Sequence, residues 1–247
     1  MIWVGTSGWA YGHWVGRFYP PDLPPRAWLA FYARNFATVE INRSFYRLPT
    51  REQFTAWADQ VAPWPEFCFA VKASRYLTHL KKLRDPAEGL ARLLDASSGL
   101  GTRRGPFLYQ LPPHWQADPA RLAGFVAQRP AGTRSAFEFR DSTWFRTDVL
   151  GVLAEAGCAL VVAVGGACPT ALDLPPVGPF RYVRVHGGAH GVGLSDEEVA
   201  QLAKSLAAGP AADRDAYVYF NNDPDGHAVV DARRLRDALD RLGAPVR

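Results

Sequence analysis

Six stretches of this chain share a habit that few folds can use. Thr38-Val-Glu-Ile-Asn42 alternates apolar and polar side chains with the period of a strand, and its polar face ends in Glu40 and Asn42. Cys68-Phe-Ala-Val-Lys72, Leu108-Tyr-Gln-Leu111, Ala136-Phe-Glu-Phe-Arg140, Tyr182-Val-Arg-Val-His186 and Tyr217-Val-Tyr-Phe-Asn221 do the same. A half-exposed sheet would carry polar residues along a whole face. Here the functional groups stand at the C-terminal strand ends, where a parallel barrel builds its site.

Between these strands the apolar period lengthens to that of helices. Pro24 and Pro25 open a helix carrying Trp28, Leu29, Tyr32 and Phe36. Thr50 with Gln53, and Ser195 with Glu198, have the spacing of capping boxes. Asp85-Pro86 and Asp118-Pro119 read as an N-cap followed by a proline at the first helical position, and Gly157 as a helix stop. Strand four is expected from Phe107, with a basic loop from Ser74 before the Asp85 helix. Ile2 to Ser7 and the apolar Ala159 to Val164 bring the strands to eight. Ala167 to Pro179 is proline-rich and aperiodic, so a loop is expected in place of helix six.

Strands alternating with helices predict a parallel sheet of the α/β class. No Gly-x-Gly-x-x-Gly follows a strand, and polar ends are spread over six strands. Both points favour a closed (β/α)8 TIM-type barrel over an open doubly wound sheet. A length of 247 residues suits one such domain over 1–247.

The net charge of +4 is compatible with an anionic ligand and too small to argue for nucleic acid by itself. Cys68, Cys158 and Cys168 are odd in number and lack metal-ligand spacing, which points to a reducing, cytoplasmic setting. No leader-like segment opens the chain and no apolar run is long enough to cross a bilayer, so no membrane partner is expected.

Several blocks together carry a resemblance. Gly5-Thr-Ser-Gly-Trp9 with Trp14 and Phe18-Tyr-Pro20, Thr38-Val-Glu-Ile-Asn42 with Ser44-Phe-Tyr46, and Lys72-Ala-Ser-Arg-Tyr76 with Thr78-His79 belong to it. So do Tyr109-Gln-Leu-Pro-Pro113, Phe137-Glu-Phe-Arg140 with Trp144-Phe145, Tyr182-Val-Arg-Val-His-Gly187, and Tyr219-Phe-Asn-Asn-Asp223 with His227-Ala228. Over nearly its whole length the chain resembles the family called Domain of Unknown Function 72, or YecE-like. The resemblance implies a TIM-type barrel and no particular activity. Members often carry an Asp near the end of strand six, where this chain has Ala163-Val-Gly165.

With the barrel phase applied, the mouth gathers Glu40, Asn42, Lys72, Gln110, Glu138, Arg140, Arg184, His186 and Asn221. Glu40 or Glu138 suits a general base, His186 a general acid or base, and Lys72 the stabilisation of negative charge. Arg140 and Arg184 suit an anion. Asn42, His79, Gln110, Asn221, Asn222 and Asp223 are further candidate substrate contacts, with Trp9 and Trp14 as the aromatic ones. The opposing reading makes Glu40–Lys72 and Glu138–Arg184 buried ion pairs of the scaffold.

The loops 187–193 and 222–226 have the composition and position of phosphate sites, and the basic run from Arg75 to Arg84 suits an anionic polymer. Glu40, Glu138, His186 and Asp223 offer donors for a divalent ion without a recognisable ligand spacing, so neither metal nor cofactor is assigned. The sequence thus leads to an enzyme, a hydrolase or lyase acting on an anionic small molecule or a phosphate-bearing substrate. A nucleotide- or nucleic-acid-binding module without turnover is the alternative. A glycoside hydrolase using Glu40 and Glu138 is the third reading. Glu138→Gln is expected to remove activity and spare the fold.

Overall fold

The computed structural model describes residues 1–172, 174–208 and 214–247. Eight strands run parallel in sequence order: β1 (Ile2–Ser7), β2 (Thr38–Ile41), β3 (Cys68–Lys72), β4 (Arg104–Gln110), β5 (Ser135–Glu138), β6 (Ala159–Val164), β7 (Arg181–Val185) and β8 (Ala216–Phe220). β8 pairs with β1 and closes the barrel. Helices α1 (Trp28–Ala33), α2 (Arg43–Tyr46), α3 (Arg51–Gln60), α4 (Ala87–Ser97), α5 (Pro119–Ala127), α6 (Thr147–Glu155), α7 (Asp196–Ala207) and α8 (His227–Arg241) follow the strands. This is the expected (β/α)8 TIM barrel. Between β6 and β7 no helix occurs among the described residues, in keeping with the four prolines of that stretch.

Strand alternation divides the apolar residues into two cores. Val39 and Ile41, Phe69 and Val71, Phe107 and Tyr109, and Val183 and Val185 face outward and pack with the helices. Ala70, Leu108, Ala136, Ala159, Val161, Tyr182 and Tyr219 fill the barrel itself. Two residues above Ala70 stands Lys72, and two above Ala136 stands Glu138. Small side chains low in the barrel therefore leave room for long polar ones at its C-terminal end.

Local chemistry fixes most boundaries. Ser195 and Glu198 complete both halves of the capping box at α7. Asp118 accepts from the Arg121 N–H at the start of α5, and Thr50 accepts from the Gln53 N–H at 3.3 Å. Gly157 takes φ 63° just past α6, as a helix stop requires.

Three expectations change. β4 starts at Arg104, not Phe107, because its register with β3 shifts between Phe69 and Val71, which accommodates Pro106. Asp85 does not cap α4; it takes φ 42° and faces Lys81 at 3.7 Å, while the helix starts after Pro86. Part of the expected loop after β3 is a π-helical turn, Tyr76–Leu80.

Closure brings β1 against β2, and Gly5 lies at the tightest approach. A Cβ there would stand 2.1 Å from the Thr38 carbonyl oxygen, so any side chain must part the two strands. Gly5→Ala is expected to cost about 1–3 kcal/mol, read as a lower urea midpoint with an unchanged slope. An unchanged midpoint would contradict this packing of β1 on β2.

Candidate functional site

The centre of the mouth is a guanidinium held between two carboxylates. Arg184, in β7, is 1% exposed. Its Nε and Nη2 donate to the two oxygens of Glu40 at 3.1 and 2.8 Å, and Nη1 donates to Glu138 at 2.7 Å. Glu40 also accepts the Ser7 and Tyr182 hydroxyls at 2.7 and 2.6 Å. Burial alone would lower the Arg184 pKa, but Glu40 and Glu138 outweigh it and hold the guanidinium protonated.

Glu138 ends β5 and is just as occupied. Besides Arg184 it meets the Gln110 amide at 2.8 Å, His186 Nε2 at 2.9 Å, and Arg140 Nε and Nη2 at 3.3 and 3.4 Å. Burial would raise its pKa, yet Arg184, His186 and Arg140 hold it well below the usual carboxylate range. Such a carboxylate is a strong electrostatic anchor and a weak base. His186 is fixed on its other side by Asn221 Nδ2, 3.3 Å from Nδ1. Asn42 Nδ2 in turn donates to Asn221 Oδ1 at 3.2 Å. Donors and acceptors along this chain agree when the His186 proton sits on Nε2, directed at Glu138.

Lys72, at the end of β3, is the exception. It is 7% exposed, and no carboxylate among the described residues lies within ion-pair distance of its Nζ. The ammonium position instead lies 4.3 Å from the centroid of the Phe45 ring. The Ser44 hydroxyl bonds both Ile41 O and Lys72 O, which fastens α2 over β3 and holds Phe45 in place. Burial first, and then the positive charge of Arg184, push the Lys72 pKa down to about 7 against the opposing pull of Glu40 and Glu138. The expected Glu40–Lys72 pair is therefore absent among the described residues, because Arg184 claims both carboxylates.

Around this centre the other candidates part company. Arg140 keeps 38% of its side chain exposed at the rim. His79 accompanies Lys72; its ring meets Phe45 edge-on at 4.9 Å and its Nδ1 lies 2.9 Å from the Thr78 hydroxyl. Burial, Lys72 and Arg140 lower its pKa to about 4.

Trp14 is corrected as a contact residue: it is wholly buried, and its indole N–H donates to Asp223 at 2.7 Å. Asp223 is engaged on its other side by His13 at 2.9 Å. Asn222 is likewise buried, donating to Val192 O and to Asp231, both at 2.8 Å. It ties two loops together, which corrects its placement among substrate contacts. Trp9 packs edge-on against Trp57 at 5.2 Å and lines a cavity of about 690 Å³ beside the mouth, with Tyr11, Asn42, Arg43 and Tyr46.

The loop after β7 has an occupant of its own. Glu198 accepts the N–H groups of Ala189 and Ser195 at 2.6 and 2.7 Å, so a carboxylate of the protein stands where an anion was expected. Among the described residues no group of three or more His, Cys, Asp or Glu side chains is placed to hold a metal ion. No helix among them is long and apolar enough to cross a membrane.

The family model described as Protein of unknown function DUF72 matches residues 3–246. The chain belongs to this family. UPF0759 protein YunF of Bacillus subtilis is 23% identical over 97% of this chain and 95% of its own length. UPF0759 protein YecE of Escherichia coli is 32% identical over 112 residues, 45% of this chain and 38% of that protein. A crystal structure of a DUF72 family protein from Thermotoga maritima superposes with a TM-score of 0.83 at 26% identity, covering 97% of this chain and 99% of that one.

The structure adds two groups that sequence reasoning passed over. Tyr182 shares the inward phase of Arg184 and His186, and its hydroxyl completes the shell of Glu40. Ser7 is the polar end of β1 and does the same. The rule applied to the other strands would have found both.

Two outcomes follow from the charges. Arg184→Leu strands two buried carboxylates and is expected to cost about 3–5 kcal/mol at neutral pH in chemical denaturation. Because the folded pKa of Glu138 is depressed, its contribution is complete above the ordinary value of about 4.3 and is lost as pH falls through the folded value. The wild type should weaken in acid, whereas Arg184→Leu should recover part of its loss as its carboxylates protonate. A cost below about 1 kcal/mol would refute the central role of Arg184.

Lys72 carries the opposite sign. An unfolded chain takes its proton below about pH 10.4, and the folded protein resists until about 7. Lys72→Met should therefore stabilise the fold by at least about 1 kcal/mol near neutrality, a gain that shrinks as pH rises from about 7 and is gone above about 10.4. A variant less stable than wild type at pH 7 would overturn this account.

Proposed function

We propose that this protein is an enzyme of the hydrolase or lyase type, acting on a small carboxylate- or phosphate-bearing substrate at the barrel mouth. One observation carries the reading: once Glu40, Arg184 and Glu138 have satisfied one another, Lys72 and the rim-exposed Arg140 are, among the described residues, the cations beside this cluster that can still meet a ligand. Arg140 binds the substrate anion with the donors it does not spend on Glu138. Lys72, with a pKa near 7, exchanges a proton with the substrate at neutral pH. Gln110 and His186 hold Glu138, and Glu40 with Arg184 forms an immobile floor.

This reading reassigns the expected roles of Glu40, Glu138, His186 and Lys72. Glu40 and Glu138 serve as fixed charges, not as bases, because their oxygens are filled. Gln at position 138 would turn an amide N–H toward donors already converging there, so Glu138→Gln is no longer a fold-neutral exchange. Glycoside hydrolysis is disfavoured, since Arg184 bridges the carboxylates between which a sugar bond would lie.

Calorimetry with sulfate and with malonate tests the anion site, and a turnover screen of phosphate esters and of hydroxy and keto acids tests the enzyme. Arg140→Gln should weaken anion binding about tenfold, the loss of one charge-assisted contact, with thermal stability little changed. Turnover should rise with pH through about 7 as the Lys72 amine is freed. Wild-type protein that binds neither anion at low salt would sink the proposal. Salt-sensitive binding of single-stranded nucleic acid without turnover would favour the binding module instead.

A further inference from the structure

Resting on the anion-binding reading of the mouth, we infer that Lys72 is a covalent nucleophile: its Nζ condenses with the carbonyl carbon of a small keto or aldehyde acid whose carboxylate is held by Arg140. The substrate class is thereby narrowed to carbonyl-bearing anions.

Three features of the setting support it. The amine projects from the last residue of β3 into the barrel interior, above Ala70 and beside the face of Phe45, so it is desolvated. Desolvation next to another cation is one established way to make a lysine nucleophilic. It has no paired carboxylate among the described residues, whereas Lys81 faces Asp85. Lastly, the groups around it suit a carbonyl acid. Arg184 comes from β7, Glu40 from β2, Glu138 and Arg140 from β5 and its continuation, and His79 from the turn after β3. Of these, Arg140 is the rim-exposed cation that can take a carboxylate.

The chemistry balances without an oxidant or reductant. The Nζ lone pair forms a C–N bond to the carbonyl carbon, and the C=O π pair moves to oxygen. Both amine protons leave with that oxygen as water, and an imine remains. Once protonated, the imine withdraws electrons from the adjacent carbon, which suits a lyase that breaks a C–C or C–H bond there.

The test uses the whole protein with pyruvate and sodium cyanoborohydride, which reduces an imine to a stable secondary amine. The chain has four lysines, Lys72, Lys81, Lys82 and Lys204, so peptide mapping reads each one. Modification is expected first at Lys72, in one-to-one stoichiometry, with a mass gain of pyruvic acid less one oxygen atom. Its rate should rise with pH through about 7 and level off above it. Lys72→Met should lose the fast lysine phase and leave only modification of Lys81, Lys82, Lys204 and the Met1 α-amine, which peptide mapping resolves.

Acetaldehyde, which has no carboxylate, separates the two claims. Faster labelling of Lys72 by pyruvate than by acetaldehyde, with that advantage falling about tenfold in Arg140→Gln, supports the imine and the Arg140 anchor together. Equal labelling of Lys72 by both reagents in wild type and Arg140→Gln keeps the imine and overturns the anchor. Modification of Lys81, Lys82 or Lys204 with Lys72 untouched, in protein that still binds sulfate, overturns the imine and leaves the anion site standing.

Discussion

The sharing of Arg184 between Glu40 and Glu138 governs everything else at the mouth of this barrel. Three charged side chains from three strands are taken out of water together; Arg184 holds Glu138 ionised, and the carboxylates keep Arg184 protonated. Stability alone is a poor reason for such a group, because apolar side chains of similar volume would often serve as well. Its effect is on its neighbours. The oxygens of both carboxylates are filled by hydrogen bonds, and the lysine that lies within their field has no ion-pair partner among the described residues. A buried ionic cluster and, beside it, an amine that titrates near neutrality are thus one arrangement.

The architecture was legible in the sequence because it rests on periodicity. Alternation in β2, β3, β5 and β7 told which side chains enter the barrel, and proline-rich 167–179 told where a covering helix is missing. Phase, however, says which residues point inward and not which of them meet. Glu40 and Lys72 lie on adjacent strands, so their pairing was the natural guess. The longer, forked side chain of Arg184 reaches both acids and displaces that pairing. The other pair of the opposing scaffold reading, Glu138–Arg184, is present at 2.7 Å.

Loops have no period, so their residues are the least legible in the sequence. Trp14 and Asn222 stand in loops whose composition suggests ligand contact, yet each is consumed in fastening one loop to another. The glycine-rich stretch after β7 looked like an anion cradle. Glu198, the same residue that completes the α7 capping box, supplies the anion from within the chain. A cap and a loop tie were achieved by one carboxylate, which spacing reveals only in part.

The missing counter-ion of Lys72 has a thermodynamic corollary. An anion that settles beside this amine supplies the negative charge that Arg184 withholds, and so raises the affinity of Nζ for a proton. Proton uptake and anion occupancy then become two faces of one equilibrium, each strengthening the other by the same factor. Near neutrality the protein would draw a fraction of a proton from its buffer with every anion it takes up. The heat of that uptake changes with the ionisation enthalpy of the buffer, which makes anion occupancy of the mouth visible whatever the anion is.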